Sequence, residues 1–528
     1  MQRFTFTFPP PKNESQIVQR LEADGSLAPS KLYLVNRPYP YQEDKIDRLV
    51  DEGHYLVGIC AFESWPARIH NPHDEAGLRE FDLFIKPSYR RFIGFMHHFR
   101  DPRDVFPDDI PLLDMDFSDY VQVRKRGQVK TFDMVYYAGH SIEGKEDTMR
   151  WSSVIKGHDL ALLVIRTLLE VDPTFRVAIV KDVFGIDHPR VKNFGFLPYR
   201  TFLDLVESAH VLLVPSAVDA SPRVITEALC LDTHVMVNAD ISGGWKYVDE
   251  RTGAFFDRTN YLDVYARLRA RGPAATRAWF LENYANHTLE ARFNDWLHDC
   301  ILRYCAFNRF GGVLYVCLEG DRKEERQALI RGELFRDMGI FGDCVEQVPA
   351  ASVPGNPHKA RGLSHLAALR RARELGLPDV VIFEDDFQFF VPRQLANRKI
   401  EALLRDFPDH DAILFGNHQV TRHEATPHGA VLRVRAGAWP HGYAVRAERY
   451  DALIAGLAEA CAVMPDDTAD SGAQRIDDVW TRFAGDANVH AFRVPLGEGM
   501  ERAGRFGFSA VSTEASCVEG SCPQGPTP

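Results

Sequence analysis

The amino-acid sequence predicts an α/β protein in which open, mostly parallel sheets are covered by helices. Short apolar stretches of strand character alternate with amphipathic helical stretches from Leu32, again from Phe132 and once more from Gly311. This alternation favours parallel sheets, because a parallel strand pair needs a crossover connection that is usually a helix. At 528 residues the chain is too long for one ordinary core, so we expect several domains.

Composition and charge restrict the function classes. Hydrophobic residues at 45% and charged residues at 26% are ordinary for a globular protein. The net charge of −12 argues against a nucleic-acid partner, which would require a basic surface. No stretch approaches the roughly 20 apolar residues of a transmembrane helix, and the N-terminus lacks a secretory signal. Because the nine cysteines show neither metal-type spacing nor a disulfide framework, we expect a reduced, cytoplasmic compartment.

The alternating blocks also set the expected domain boundaries. A proline run and few apolar residues predict a loose lead-in, and a segment rich in Ser, Gly, Pro and Glu predicts a disordered tail. Between them we expect two doubly wound halves and a further domain. The expected ranges are 1–30 for the lead-in, 31–131 and 132–305 for the halves, 310–511 for the further domain and 512–528 for the tail.

The stretch VVIFEDDF, residues 380–387, places three adjacent carboxylates after an apolar strand. In open α/β sheets, ligands bind beyond the carboxyl ends of the strands. Alternation along an extended chain points Glu384 and Asp386 to the same side. Carboxylate oxygens suit Mg²⁺ or Mn²⁺, and such an ion would remove the repulsion and bind a nucleotide diphosphate. Taken alone, the triplet is equally well explained as a solvated strand terminus.

Four segments in the same order make the C-terminal part resemble glycosyltransferase family 25, the lipopolysaccharide and procollagen galactosyltransferase group. The resemblance covers most of residues 312–500 and implies an A-type glycosyltransferase (GT-A) domain, which is Rossmann-like. The segments are LYVCLEGDRKEER at 314–326, GLSHLAALRRARELG at 362–376, VVIFEDD at 380–386 and AWPHGYAVRAERYDALI at 438–454.

The resemblance implies that Glu384, Asp385 and Asp386 stand in for the family's Asp-X-Asp metal motif. Asp386 is then the direct ligand of Mn²⁺ or Mg²⁺, and Glu384 binds through water or faces the ribose of the donor. His441 and His490 are candidates for a third metal ligand. The alternative is that each histidine is simply packed, as a histidine without a known partner usually is.

The same resemblance assigns residues to the donor nucleotide. It implies that Leu318, Glu319 and Arg322, in the first strand and the turn after it, flank the nucleotide. Arg322 and Arg326 are alternatively solvated residues of the following helix, and for Arg326 we favour that alternative.

An A-type transferase that inverts the anomeric centre needs a base for the proton of the acceptor hydroxyl. The segment RIDDVWTRF offers two adjacent carboxylates, and the family often has an Asp at this place. We favour Asp478 as the catalytic base, with Asp477 as the second choice. The alternative for either residue is capping of a helix N-terminus.

A second candidate site lies in VPSAVDASPRVITEALCLDTHVMVN, residues 214–238. Ser221 is expected to cap a helix that begins at Pro222, a favoured pairing at helix starts. The exposed N–H groups of such a helix start suit a phosphate. Asp219 and Glu227 are separated by seven residues, and Glu227 is placed to accept hydrogen bonds from a ribose.

This acid-X7-acid pattern resembles the retaining B-type (GT-B) glycosyltransferases, especially family 4. KGHDLALLVI, from residue 156, is similar to the family's helix start and implies that Lys156 faces the donor diphosphate. The resemblance covers about 132–260. The sequence departs from the pattern where Asp219 replaces the usual Glu and where the usual Arg is not evident, with Arg150 or His140 as substitutes.

Together the two resemblances predict a GT-B double Rossmann-like module followed by a GT-A domain. The expected function is bifunctional transfer of sugars from UDP- or GDP-linked donors to a glycan or glycoconjugate acceptor. The GT-B half would retain configuration without metal, and the GT-A half would invert it with Mn²⁺ or Mg²⁺. The first alternative is that only the GT-A half is catalytic and the GT-B half is a degenerate acceptor-binding or structural module. The second is a carbohydrate-binding protein without catalysis.

Overall fold

The computed structural model divides the chain into two compact units. Unit 1 comprises Met1–Tyr304 with Phe341–Asp343, and unit 2 comprises Cys305–Ile340 with Cys344–Pro528. The residues that the structure describes are 3–5, 16–36, 42–60, 89–104, 106–115, 123–138, 156–181, 185–217, 219, 222–317, 323–416, 420–467 and 472–499.

The first sheet of unit 1 has six strands in the order β1-β2-β3-β4-β5-β6. Strands β3 to β6 are parallel, whereas β1 and β2 are added antiparallel to β3. The strands are β1 Arg3–Thr5, β2 Gln16–Leu21, β3 Leu27–Asn36, β4 Tyr55–Cys60, β5 Phe92–His97 and β6 Leu112–Asp114.

Residues 1–30, expected to be a loose lead-in, supply β1, β2 and the start of β3. The hairpin between β2 and β3 turns at Gly25, whose φ of 84° suits glycine. Val18 is fully buried while Ile17 beside it is half exposed, so β2, which lies between β1 and β3, is buried on one face only. Such a short strand has only three inward positions, and its polar neighbours hid it in the sequence.

The second sheet of unit 1 is parallel throughout, in the order β12-β11-β10-β7-β8-β9. The chain moves outwards from β7 to β9 and then returns to the other side of β7 with β10. The carboxyl ends of β7 and β10 therefore form the topological switch point, where ligands of such sheets bind. The strands are β7 Phe132–Tyr137, β8 Val177–Val180, β9 Val191–Phe194, β10 Ala209–Val214, β11 His234–Asn238 and β12 Gly253–Phe256.

Helices cover both sheets of unit 1. The crossover helix α2 buries an apolar stripe that includes Leu160, Val164 and Leu168, as its periodicity predicts. None of the helices in the described ranges is long and apolar enough to cross a membrane. The helices of unit 1 are α1 Glu43–Asp51, α2 His158–Val171, α3 Tyr199–Glu207, α4 Arg223–Cys230, α5 Tyr261–Ala270, α6 Thr276–Tyr284 and α7 Asn286–Tyr304.

Unit 2 is built on a mixed eight-stranded sheet in the order β14-β13-β15-β20-β17-β21-β19-β18. Strands β14, β13 and β15 are parallel, and β20 runs antiparallel between β15 and β17. The strands are β13 Val313–Cys317, β14 Val345–Pro349, β15 Asp379–Glu384, β17 Ala412–Leu414, β18 Val420–Ala425, β19 Val431–Gly437, β20 Gly442–Arg446 and β21 Val489–Phe492, with β16 Phe387–Phe389 and β22 Gly497–Gly499 in a separate two-stranded ladder.

Apolar side chains from helices fill both faces of this sheet. One core contains the fully buried Trp439, Trp480 and Tyr443, and the other contains Phe307 and Phe383. The predicted α/β class is confirmed, and the GT-A and GT-B assignments stay predictions. The helices of unit 2 are α8 Lys323–Arg331, α9 Pro357–Glu374, α10 Arg393–Asp406, α11 Tyr450–Val463 and α12 Gly472–Asp486, together with a π-helical segment Gly332–Asp337 directly after α8.

Candidate functional site

The acidic triplet lies at the carboxyl end of β15, as the sequence predicts. Glu384 is the last residue of β15, and the chain turns at the next two residues. The antiparallel register pairs Phe383 with Gly442, so His441 comes to lie opposite Glu384. The backbone N–H of Glu384 donates to the carbonyl of His441 at 2.9 Å. Sheet pairing therefore brings together residues that are far apart in the chain.

Glu384, Asp386 and His441 form a group whose ligand atoms all lie within 4.8 Å of one another. His441 Nδ1 lies 2.7 Å from Glu384 Oε2 and 3.6 Å from Asp386 Oδ1. Asp386 and His441 are both 7% exposed. Asp386 Oδ1 is buried and has no hydrogen-bond partner among the described residues. Because burying a carboxylate oxygen without a hydrogen bond is costly, this atom is suited to binding a cation.

The other oxygen of Glu384 is held by two residues of α9. Arg361 Nε donates to Glu384 Oε1 at 2.5 Å, and His365 Nε2 lies 2.8 Å from the same atom. Arg361 also donates to the carbonyl of Trp439 at 3.2 Å. These contacts fix the carboxylate so that only Oε2 faces His441. The sequence analysis missed both residues, because a basic residue and a histidine on an amphipathic helix carry no local signal of a distant carboxylate.

The electrostatics of the group favour a bound cation. Burial acts to raise the pKa of Glu384, but Arg361 and His441 together hold that pKa well below its usual value. Burial opposes charge on His441, yet Glu384 and Asp386 raise its pKa to about 9. In the absence of a metal, the His441 imidazole therefore carries a second proton and is positively charged at neutral pH. Two carboxylates and an imidazole are donors that suit Mn²⁺, so the residues fit the predicted metal.

Asp385 points away from this group and pairs with Arg326. The Arg326 guanidinium donates to Asp385 Oδ1 at 2.8 Å, and Asp385 is 3% exposed. The preference for Arg326 as a solvated helix residue is therefore wrong. The reason is topological, because α8 follows β13, the parallel neighbour of β15, and its first turns run past the end of β15. The expected alternation is confirmed, since only the first and third acids face His441.

Asp477 and Asp478 lie inside α12, so the alternative that one of them caps a helix N-terminus is wrong. Asp477 Oδ1 accepts from the backbone N–H of Trp439 at 2.9 Å and thereby fixes the chain just before His441. Asp478 is exposed. The base role of Asp478, and of Asp477 as second choice, stays a prediction.

The remaining predicted residues of unit 2 are placed as follows. His490 lies in β21, and its ring packs on Phe407 at a centroid distance of 4.3 Å. It is not part of the group that could hold a metal within the described residues. The nucleotide-flanking candidates Leu318, Glu319 and Arg322 lie outside the described residues.

In unit 1, Lys156 and Asp219 meet at the switch point of the second sheet. Lys156 Nζ lies 2.5 Å from Asp219 Oδ2, and Asp219 is 6% exposed. Gly157, with φ of 61°, lets the chain pass close to β10, because a Cβ there would lie 2.3 Å from the carbonyl oxygen of Pro215. The cation expected to face a diphosphate is therefore paired with the first acid of the acid-X7-acid pattern.

The second acid, Glu227, lies on α4. Its Oε1 accepts from the hydroxyl of Tyr199 at 2.9 Å. The helix begins at Arg223, one residue after Pro222, which was expected to be its first residue. Such a difference of one residue is ordinary at helix ends. The predicted cap Ser221 lies outside the described residues, as do the two substitutes for the family's Arg, Arg150 and His140.

Comparison with known proteins finds no matching family model and no matching curated protein. Among solved structures, the chain is similar to a mutant of S. aureus TarM in complex with fondaparinux, α-GlcNAc-glycerol and UDP, with 13% identity and a TM-score of 0.38 over 50% of this chain and 55% of that one. It is also similar to Anabaena Alr3699/HepE in complex with UDP and glucose, with 12% identity and a TM-score of 0.37 over 50% of this chain and 78% of that one.

A third similar structure is AviGT4, a glycosyltransferase involved in avilamycin A biosynthesis, with 15% identity and a TM-score of 0.33 over 47% of this chain and 68% of that one. The chain spans 55% and 60% of the lengths of the two TarM structures that it matches. With TM-scores below 0.5, these similarities establish neither a family nor an activity. The functional conclusion therefore rests on the residues of the site.

Proposed function

We propose that this protein is a bifunctional glycosyltransferase that transfers sugars from UDP- or GDP-linked donors to a glycan or glycoconjugate acceptor. The observation that carries the proposal is the group of Glu384, Asp386 and His441 at the carboxyl end of β15, with one buried oxygen of Asp386 lacking a hydrogen-bond partner among the described residues. Such a group suits a divalent cation, and a cation at a strand end suits a nucleotide diphosphate.

In the proposed reaction of unit 2, Mn²⁺ or Mg²⁺ bound at Asp386 would neutralise the charge that develops on the leaving diphosphate. His441 and Glu384 would complete the ligand set, and Arg361 and His365 hold Glu384 in place. Asp478 takes the proton of the acceptor hydroxyl, whose oxygen attacks the anomeric carbon from the face opposite the diphosphate. The new bond from that carbon to the acceptor oxygen forms as its bond to the diphosphate breaks, and this single displacement inverts the anomeric centre. The exposure of Asp478 supports this role, because an acceptor must reach the base.

The strand order of unit 2 supports the GT-A assignment. Strands β14, β13 and β15 are parallel neighbours, and the chain passes through α8 and α9 between them. This is the arrangement of a Rossmann-like nucleotide-binding half. Two open sheets with covering helices in unit 1 likewise support the GT-B assignment.

In the proposed reaction of unit 1, Lys156 stabilises the leaving diphosphate and Glu227 binds the ribose. Transfer there retains configuration and needs no metal. The support is that Lys156 and Asp219 lie at the switch point, between the carboxyl ends of β7 and β10.

A second candidate function keeps only unit 2 catalytic, with unit 1 as an acceptor-binding or structural module. The ion pair between Lys156 and Asp219 favours it, because it engages the cation that the diphosphate requires. The hydrogen bond from Tyr199 similarly engages Glu227.

Nucleotide release from UDP-glucose, UDP-galactose, UDP-N-acetylglucosamine and GDP-mannose tests both candidates on the full chain. We expect Mn²⁺-dependent release from at least one donor, lost in Asp386→Ala and unchanged in Asp409→Ala, which alters an exposed aspartate of unit 2. We also expect release that persists in EDTA and is lost in Glu227→Ala. The absence of any Mn²⁺-dependent release would refute the transferase proposal for unit 2. Release that disappears entirely in EDTA would favour the second candidate.

A further inference from the structure

Unit 2 contains a cavity of about 440 Å³ that the proposed chemistry does not use. Residues of the π-helical segment Gly332–Asp337 line one side. The other side is lined by Phe389–Gln394, which run from the end of β16 into the first turn of α10. The volume lies in the range of small-molecule sites. A π-helical turn is rare and is often found at functional sites.

Hydrogen bonds hold the two walls of this cavity in place. Glu333 Oε2, from the π-helical segment, accepts from the backbone N–H of Phe389 at 2.9 Å. The N–H of Phe390 donates to the carbonyl of Leu496 at 2.8 Å. A ligand therefore meets a cavity whose walls are already ordered, and little ordering entropy is lost on binding.

The wall of the cavity contains an exposed aromatic side chain, that of Phe390. Phe387 and Phe389 pack into the aromatic core, with the Phe389 ring centroid 5.5 Å from that of Phe383. Phe390, next in the chain, lines the cavity and remains 55% exposed. The negative face of an aromatic ring attracts polarised C–H groups, such as those on the apolar face of a sugar ring. The ring is thus a stacking platform for a sugar.

The formal charges of the residues that line the wall sum to zero. Arg336 and Arg393 carry N–H groups, while Glu333 and Asp337 carry carboxylate oxygens. A hydroxyl group both donates and accepts, so a wall with both functions suits a polyol. A phosphate or diphosphate would instead require an excess of cations. The balance therefore selects an uncharged sugar rather than a nucleotide.

The cavity lies close to the candidate metal group along the chain. Phe390 follows Asp386 by four residues, so their Cα atoms are at most roughly 14 Å apart. A short oligosaccharide spans that distance. We propose that this cavity binds the acceptor glycan as a subsite beyond the sugar that receives the transferred residue. The inference rests on the proposed function of unit 2.

Saturation-transfer NMR on the full chain, without donor or metal, tests this subsite. The probes are maltotriose, lactose, mannotriose and chitotriose. We expect at least one probe to bind, with affinity at least tenfold lower in Phe390→Ala and retained in Phe390→Trp, which keeps the platform. The matched control is Val463→Ala, which removes an equally exposed apolar side chain on α11 and leaves binding unchanged.

Binding of none of the four probes, or equal binding by wild type and Phe390→Ala, would overturn the inference. Asp386→Ala separates the two proposals, because we expect it to abolish Mn²⁺-dependent nucleotide release while the probe still binds. Release without probe binding overturns the subsite alone. Phe390-dependent probe binding in a chain that shows no release overturns the acceptor role, since no transfer would use the bound glycan. An unchanged thermal unfolding midpoint establishes that Phe390→Ala is folded.

Discussion

The two candidate sites, one in each unit, balance their charges in different ways. In unit 1 the buried carboxylate of Asp219 forms an ion pair with Lys156. In unit 2, Glu384 is paired with Arg361 and His441, and Asp386 Oδ1 has no hydrogen-bond partner among the described residues and lies 3.6 Å from His441 Nδ1. The pair of unit 1 can bind a diphosphate only by exchanging partners, whereas in unit 2 a divalent cation can displace the proton of His441 and bind both carboxylates. The difference explains why only unit 2 is expected to depend on metal.

The largest expected effect is on metal binding by unit 2. Asp386→Asn removes the proposed direct ligand, so we expect Mn²⁺ affinity, measured by isothermal titration calorimetry, to fall at least 100-fold. In EDTA, the thermal midpoint of the variant should not fall, because the change removes a buried carboxylate oxygen that has no hydrogen-bond partner in the described part of the chain. Asp409→Asn serves as the exposed control and should bind Mn²⁺ like wild type. Undiminished Mn²⁺ affinity in Asp386→Asn would place the metal elsewhere.

A smaller effect is expected when the ion pair of unit 1 is broken. Lys156→Met leaves Asp219 buried beside an apolar side chain, and we expect the free energy of unfolding to fall by about 2 kcal/mol, since Lys156 is itself partly exposed. Adding Asp219→Asn should recover most of this loss, because the buried carboxylate that lost its ion pair with Lys156 is then gone. Urea unfolding of the full chain measures both variants.

Lys192→Met, which alters an exposed lysine of unit 1, is the control and should change stability by less than about 0.5 kcal/mol. If the double variant is no more stable than Lys156→Met, the ion pair does not provide the neutralisation that the comparison assigns to it. Mn²⁺ should stabilise wild type and Lys156→Met equally, because the metal belongs to unit 2.

Periodicity in the sequence predicted most of what local patterns can encode. The strand before the acids, the helix α2 and the orientation of Glu384 and Asp386 towards one side follow from spacing within one element. Two contacts depend on how strands and helices align across the sheet: the ion pair of Arg326 with Asp385 and the hydrogen bond from Arg361 to Glu384. Because no local sequence pattern predicts such long-range contacts, Arg361 was missed and Arg326 was wrongly expected to be solvated.

The cavity beside Phe390 shows the same limit. Its walls are the π-helical segment and the turn after β16, which are far apart in the sequence. A hydrogen bond from the backbone N–H of Phe389 to Glu333 joins the two walls. Phe390 itself was the available signal, but a Phe that follows the buried Phe387 and the partly buried Phe389 is indistinguishable in the sequence from another core residue.

The smallest expected effect separates the histidines of the two units. In unit 2 the carboxylates of Glu384 and Asp386 raise the pKa of His441 to about 9, whereas in unit 1 burial lowers the pKa of His97, at the end of β5, to about 4. Around His97, Asp114 favours the charged form, and Lys246 and Arg103 oppose it. Unfolding restores an ordinary pKa near 6.5 for His97. Between about pH 4 and 6.5, His97 is therefore protonated in the unfolded chain and neutral in the folded chain.

The stability that His97 contributes is therefore present above about pH 6.5 and is lost as the pH falls towards 4. When the pH is lowered from about 7 to 5.5, we expect the free energy of unfolding of wild type to fall by about 1 kcal/mol more than that of His97→Gln, whose side chain does not titrate. Urea unfolding of both chains at the two pH values measures the difference, and contributions of the other histidines cancel between them. Equal losses would mean that His97 is protonated in the folded chain. Asp114 would then outweigh burial, and unit 1 would share with unit 2 the use of a carboxylate to charge a buried imidazole.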